Sequence, residues 1–355
     1  MTRVVVVILH APPGADAGPL TGAFAAMRRQ NAERQSAGFQ TAGADEVRIV
    51  DEAAGAAGFA GLVREVAGRA KGAGLVMLGS GSVPLATAGD RRAFVDAARG
   101  ATRGALTNNR FSGDIVAVRD AAALAGLPDL ASDNGLPRWL AEAGAEVRDL
   151  RRRWRLQVDL DSPLDGLLVG GRLARAVPAD AAGAVRAALD RVRACTRNGR
   201  AELVVAGRTS AAGLAWLERS TASRTRALVE ERGFRTRPAD HVQRPVASTL
   251  GMLLDRDGPE SLGAILAGLG DAALVDTRVL LAHRFGADEG GWPVAEDRFA
   301  SDLLLPERVA DPWLRALTAG VRDAPIPIVL GGHTLVGPGL RLAVGSAAGA
   351  RRSWT

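Results

Sequence analysis

Tyrosine is absent from this 355-residue chain, and lysine and cysteine occur once each, as Lys71 and Cys195. Without tyrosine, no phenol can serve as an acid or base. Lys71 lies in Arg69-Ala70-Lys71-Gly72, which is neither a Walker loop ending in Lys-Ser/Thr nor an apolar pocket suited to a Schiff-base amine. A single cysteine excludes an internal disulfide and a CxxC zinc site. Arginines 191, 193 and 197 flank Cys195, a setting that lowers a thiol pKa, but no partner for it is evident and an incidental thiol is the plainer reading. No run of about 18 apolar residues occurs, and the apolar stretch 4–9 is too short for the core of a signal peptide. A soluble, cytoplasmic protein without a membrane partner is expected.

The scarcity of lysine and tyrosine also explains the charge balance. The formal net charge is only +6, yet the sequence pI is about 10.9. Almost nothing titrates between neutrality and the arginines, so a small excess of positive charge drives the pI far upward. The pI therefore does not imply a nucleic-acid partner. The one concentrated basic run, Arg151-Arg152-Arg153-Trp154-Arg155, reads either as a phosphate-neutralising segment or as a solvated connection with one buried tryptophan. Hydrophobic residues make up 47% of the chain, enough for sizeable cores.

Those cores belong to an α/β protein. Residues 4–9 form a β-branched run of the kind that is buried on both faces of a sheet. Further strands are expected at 47–50, 75–78, 115–118 and 156–160, alternating with helices at 20–37, 59–70, 90–99 and 136–143, the last capped by Ser132 or Asp133. Alternation of this type predicts a mainly parallel sheet with helices on both faces. The second half repeats the theme, with strands expected at 203–206, 249–254, 273–281 and 326–330 and a long helix from 211 to about 232. The domains read as 1–172, a connecting helix within 173–198, a second α/β domain at 199–345, and a tail at 346–355. Two apolar domains are also compatible with a homo-oligomer.

Ligands in open α/β sheets bind beyond the carboxyl ends of the strands. Four segments stand there in the first half, one of them 127–139 with the Ser132 or Asp133 cap already named. Gly79-Ser80-Gly81-Ser82 offers close backbone approach and two hydroxyls, or simply a tight turn. Asn108 and Asn109 can read the donor and acceptor edge of a base or sugar, or brace a turn. Asp159 and Asp161 alternate at a strand end and suit a hard divalent cation carrying phosphates, while Asp161-Ser162-Pro163 equally suits a helix cap.

The order of these segments, with Gly81 to Leu85, Thr107-Asn108 and Asp159-Leu160-Asp161-Ser162-Pro163-Leu164-Asp165, resembles the nucleotidyltransferases of the glycosyltransferase-A-like fold. That group includes the molybdenum-cofactor and phospholactate guanylyltransferases. The resemblance covers about residues 1–170. It implies a Mg²⁺-dependent transfer of a nucleotidyl group to a small phosphorylated acceptor, with Asp159 or Asp161 on the metal and residues 79–82 facing nucleotide or acceptor. The chain departs from that pattern in its opening loop, His10-Ala11-Pro12-Pro13-Gly14-Ala15-Asp16, which carries no adjacent cation for a triphosphate. The partner expected on this reading is a nucleotide or phosphorylated metabolite. A non-catalytic binding or assembly protein on the same scaffold is the alternative.

The second half offers a competing site. Gly207-Arg208-Thr209-Ser210 follows a strand and opens a helix, an arrangement that binds anions or caps the helix. Asp276 and Arg278 interrupt an apolar strand, so each needs a partner. With His283, Asp297 and His333 they would form a metal-dependent hydrolase or lyase site if they converge, and an ion-pair network if they do not.

Overall fold

Every residue of β1 (Val4–His10) is buried. It is an interior strand of the first sheet, parallel to β2 (Glu46–Asp51) on one side and β3 (Gly74–Gly79) on the other. Alternate side chains of β1 enter two different cores. Val5, Val7 and Leu9 pack with Val63 and Leu140 on one face, and Val4, Val6 and Ile8 with Phe39 and Phe94 on the other. Burial on both faces is why the strand reads as an unbroken hydrophobic run rather than an alternation.

The computed structural model describes residues 2–51, 58–100, 104–130, 135–233 and 244–345. The tail at 346–355 and the capping residues Ser132 and Asp133 lie outside them. The described chain divides into two units, residues 1–15 with 25–160, and residues 16–24 with 161–355. Helices α1 (Pro19–Thr41), α2 (Gly58–Arg69), α3 (Ala88–Arg99) and α4 (Leu136–Glu142) accompany the first sheet. Its remaining strands are β4 (Gly104–Thr107), β5 (Ile115–Val118) and β6 (Glu146–Asp149). The strand order is β2-β1-β3-β5-β4-β6, with β5 antiparallel to both neighbours and every other pairing parallel. The mainly parallel α/β architecture expected from sequence is present.

The second unit holds a fully parallel sheet in the order β10-β9-β7-β8, built from β7 (Glu202–Gly207), β8 (Arg224–Val229), β9 (Ala272–Asp276) and β10 (Ile328–Gly331). Its helices are α5 (Pro163–Val169), α6 (Gly171–Arg175), α7 (Ala179–Cys195), α8 (Ala211–Ser220), α9 (Thr249–Asp257), α10 (Leu262–Ala267), α11 (Thr277–Phe285), α12 (Ala295–Asp302), α13 (Pro312–Arg322), α14 (His333–Val336) and α15 (Leu340–Val344). Helix α7, expected as a connection, packs on β7, β9 and β10 and buries Val185, Leu189 and Val192. The first unit accordingly ends near residue 160, before the segment 161–172 that the sequence grouped with it.

Four local expectations are corrected. Residues 249–254 are helical in α9, because Ser248 accepts a hydrogen bond from Gly251 N and Leu250 and Leu254 bury one turn apart on the same face. The apolar stretch 273–281 is β9 followed at once by α11, with Asp276 capping the helix rather than interrupting a strand. The helix expected to reach residue 232 stops at Ser220, and the arginines beyond it lie on the edge strand β8. Residues 156–160 form no strand. The first two close a short 3₁₀ turn (Trp154–Gln157), and the stretch touches the sheet loop through an antiparallel bridge between Ser82 and Asp159.

Candidate functional site

At the carboxyl end of the first sheet, His10 on β1 stands in register with Asp51 on β2, and Leu9 with Gly79 on β3. The loop 79–84 leaves β3 there. Its path is fixed by backbone bonds from Ser80 N to Leu9 O and from Ser82 N to Gly79 O. Val83 is buried and adopts φ +44°, a left-handed conformation that β-branched residues avoid. Helix α1 supplies the restraint. Asn31 Nδ2 donates to the carbonyls of Ser80 and Ser82 at 2.8 and 3.0 Å, Gln35 Nε2 donates to Val83 O at 2.8 Å, and Arg34 reaches Pro84 O. Arg91 Nε in turn holds Gln35 Oε1 at 2.8 Å. Fully buried Asn31 and Gln35 are thus explained by the loop carbonyls they satisfy.

Gly81 is the tightest point of the loop. A Cβ there would fall 2.8 Å from Leu160 O, 3.2 Å from Asp159 Oδ1 and 3.5 Å from Arg28 Nε. No side chain fits, and a carboxylate and a guanidinium converge on this one backbone position. Beside it, His10 Nδ1 lies 3.1 Å from Ser80 Oγ. Burial and then the nearby charge of Arg28 lower the His10 pKa, outweighing Asp51, so the imidazole is neutral at pH 7. Two arginines of α1, Arg28 and Arg29, stand near His10, the latter paired with Asp51 at 2.9 Å.

The other first-unit candidates are structural. Asn108 is buried, donating to Asp114 Oδ2 and Leu156 O and accepting from the amides of Asp114 and Ile115. Asn109 Oδ1 accepts from Phe111 N at 3.0 Å, closing a turn. The arginine run is also spent inside the unit, since Arg153 and Arg155 pair with buried Asp90 at 2.8 and 2.7 Å. Burial opposes ionisation of Asp90, but Arg155, Thr87 and Arg153 outweigh it and hold its pKa far below the usual carboxylate range. Asp159 falls in the first unit and exposed Asp161 in the second.

In the second unit, Gly207, Asp276 and Gly331 end the three adjacent strands β7, β9 and β10. Arg208 Nε and Nη2 grip Asp276 at 2.6 and 3.0 Å, and Arg278 forks onto Asp302 at 2.5 and 2.7 Å. Gly207, at φ +120°, leaves no room for a side chain, because a Cβ would lie 2.3 Å from Asp276 Cβ. Burial opposes the charge of Asp276, yet Arg208 lowers its pKa. Burial likewise opposes Arg278, while Asp302 and Asp276 raise its pKa. Asp165 has no such partner. Burial and the charge of Asp161 push its carboxyl up to about 8. Its Oδ2 accepts from the amides of Asp161 and Ser162, and its Oδ1 has no hydrogen-bond partner.

His333 joins this edge. Its ring hydrogen-bonds to the Arg208 backbone. The surrounding protein and the Arg208 charge still hold its pKa below the ordinary value, against Asp276 and Asp161. His283 and Asp297 are not part of the group. His283 sits at the far end of α11 from Asp276, about 10 Å along the axis, with Ser248 N on Nδ1 and Asp255 on Nε2. Asp297 caps the amides of Ala310 and Asp311. Arg208, Asp276, Arg278 and His333 thus assemble, whereas the proposed catalytic set that includes His283 and Asp297 does not. Among the described residues, no cluster of three or more His, Cys, Asp or Glu side chains has metal-binding geometry, and no helix is long and apolar enough to cross a membrane.

The residues that sequence reasoning missed are Arg28, Asn31, Gln35 and Asp165. Polar residues at positions 28, 31 and 35 recur at helical spacing on one face of α1, which is the signal that one polar side faces a loop instead of solvent. No protein-family model matches this chain, and a search of curated proteins returns no match.

Proposed function

We propose that the first unit binds a phosphorylated small molecule, foremost a nucleotide, at the carboxyl end of its sheet. The observation that carries this reading is the convergence of Asp159 Oδ1 and Arg28 Nε on the backbone of Gly81. On this reading Arg28 and the Gly81 backbone face the phosphates, and neutral His10 with Ser80 orients the neighbouring group. Mg²⁺ keeps several waters and is held by one or two carboxylates plus substrate phosphates. A lone Asp159 beside a guanidinium fits that role only together with a nucleotide. The metal would neutralise phosphate charge during nucleotidyl transfer to a phosphorylated acceptor, the activity the sequence resemblance implies.

A thermal-shift screen of nucleoside triphosphates with and without Mg²⁺ tests the reading. At least one nucleotide is expected to raise the melting temperature, with the larger rise when Mg²⁺ is present, while Mg²⁺ alone has little effect. Asp159→Asn is expected to remove the Mg²⁺ increment and Arg28→Gln to weaken nucleotide binding about tenfold, as loss of a charge-assisted hydrogen bond does. A flat response to every nucleotide, or one indifferent to both substitutions, sinks the idea.

A further inference from the structure

Thr209 has no accessible surface, and its Oγ1 has no hydrogen-bond partner. A buried hydroxyl without a partner is uncommon and costs free energy unless something outside the protein satisfies it. The place where this one occurs is informative. Thr209 immediately precedes Ser210, the N-cap of the ten-residue helix α8. Its hydroxyl lies against the first turn, 3.5 Å from where a Cβ would stand on Gly213, with Ser210 Oγ at 3.4 Å and Leu340 Cδ1 at 3.3 Å from the same point. Ser210 Oγ already accepts from Gly213 N at 3.1 Å, which leaves its own proton to donate. Arg208, the preceding residue, carries a guanidinium fixed in place by Asp276.

From this geometry we propose that residues 208–210 and the first turn of α8 form an oxyanion site for the phosphate group of a small phosphate monoester. Every group in the set is a donor: two hydroxyls, helix-start amides, and the positive end of the α8 dipole with Arg208 behind it. A ligand that only accepts hydrogen bonds satisfies them together, and a tetrahedral phosphate presents enough oxygens to reach both hydroxyls and the amides at once. His333, an exposed residue, is hydrogen-bonded to the neighbouring Arg208 backbone. The site belongs to the second unit and is independent of the nucleotide reading of the first.

Inorganic phosphate is the probe, titrated calorimetrically into the full chain at constant ionic strength, with acetate as the comparison oxyanion. Thr209→Val keeps the side-chain shape and removes only the hydroxyl. It is expected to leave the unliganded melting temperature unchanged or higher and to weaken phosphate binding about tenfold. Arg28→Gln, in the other unit, is expected to leave this phosphate affinity intact. A drop in unliganded stability in Thr209→Val would mean that the hydroxyl is satisfied internally, and overturns the proposal. So does absence of phosphate binding, an equal response to acetate, or phosphate binding lost in Arg28→Gln but kept in Thr209→Val.

Discussion

Three buried aspartates in this chain answer the same problem differently. Asp90 is held ionised by two arginines, Asp276 by one bidentate arginine, and Asp165 has only hydroxyl and amide donors. The consequence is clearest for Asp165. Its carboxyl titrates near pH 8 when folded, against roughly 3.9 in an unfolded chain. The folded state therefore binds the proton more tightly. Stabilisation from this group is complete below about pH 4 and is lost progressively as pH rises toward 8. Asp165→Asn keeps an acceptor for the amides of Asp161 and Ser162 and removes the titration. Urea midpoints measured from pH 5 to 8 should fall more steeply in the parent protein than in Asp165→Asn, with the variant more stable at pH 8 by on the order of 2–4 kcal/mol. Parallel curves would show that Asp165 is not the group responsible.

At the scale of elements, the central device is helix α1 bracing the loop that follows β3. Asn31 spans two carbonyls of that loop, so Asn31→Leu keeps approximate volume but leaves both without a donor. A loss of about 2–3 kcal/mol is expected from leaving buried carbonyls unpaired, read from urea unfolding, together with weaker nucleotide binding because the Gly81 turn loses its support. Full stability with unchanged binding would mean that the turn is held by its own backbone. The elements also show where sequence patterns lose their force. Residues 249–254 are a short apolar run, and six residues do not separate strand from helix by periodicity. The Ser248 cap decided that case. Strands β4, β6 and β8 went unread because they are short or lie at sheet edges, with charged residues such as Glu146, Arg148, Arg224 and Arg226 in place of a hydrophobic run.

On the scale of the molecule, each sheet has its own apolar filling. Val4–His10 is an interior strand of one, and Glu202–Gly207 is a central strand of the other. A ligand that stabilises only the first unit should then slow amide exchange in β1 and β3 more than in β7 and β9, since linkage acts on the unit that binds. Hydrogen exchange with and without Mg²⁺-nucleotide measures this directly. Equal protection of both sheets would place the ligand's effect on the whole chain and count against a site confined to the first unit.

The sequence by itself determined the α/β class and the most deeply buried strands. It could do so because burial on both faces of a parallel sheet leaves an unbroken apolar run that no other requirement disguises. It also placed Gly81 and Arg208 just beyond strand ends. Only the tertiary structure decided which polar groups meet. Arg28 reaches Gly81 from a helix some fifty residues earlier in the chain, and Asp276 pairs with Arg208 across two neighbouring strands. It likewise separated His283 and Asp297 from the residues they accompany in sequence. Pairing depends on the directions in which side chains leave their elements, and neither composition nor spacing along the chain encodes those directions.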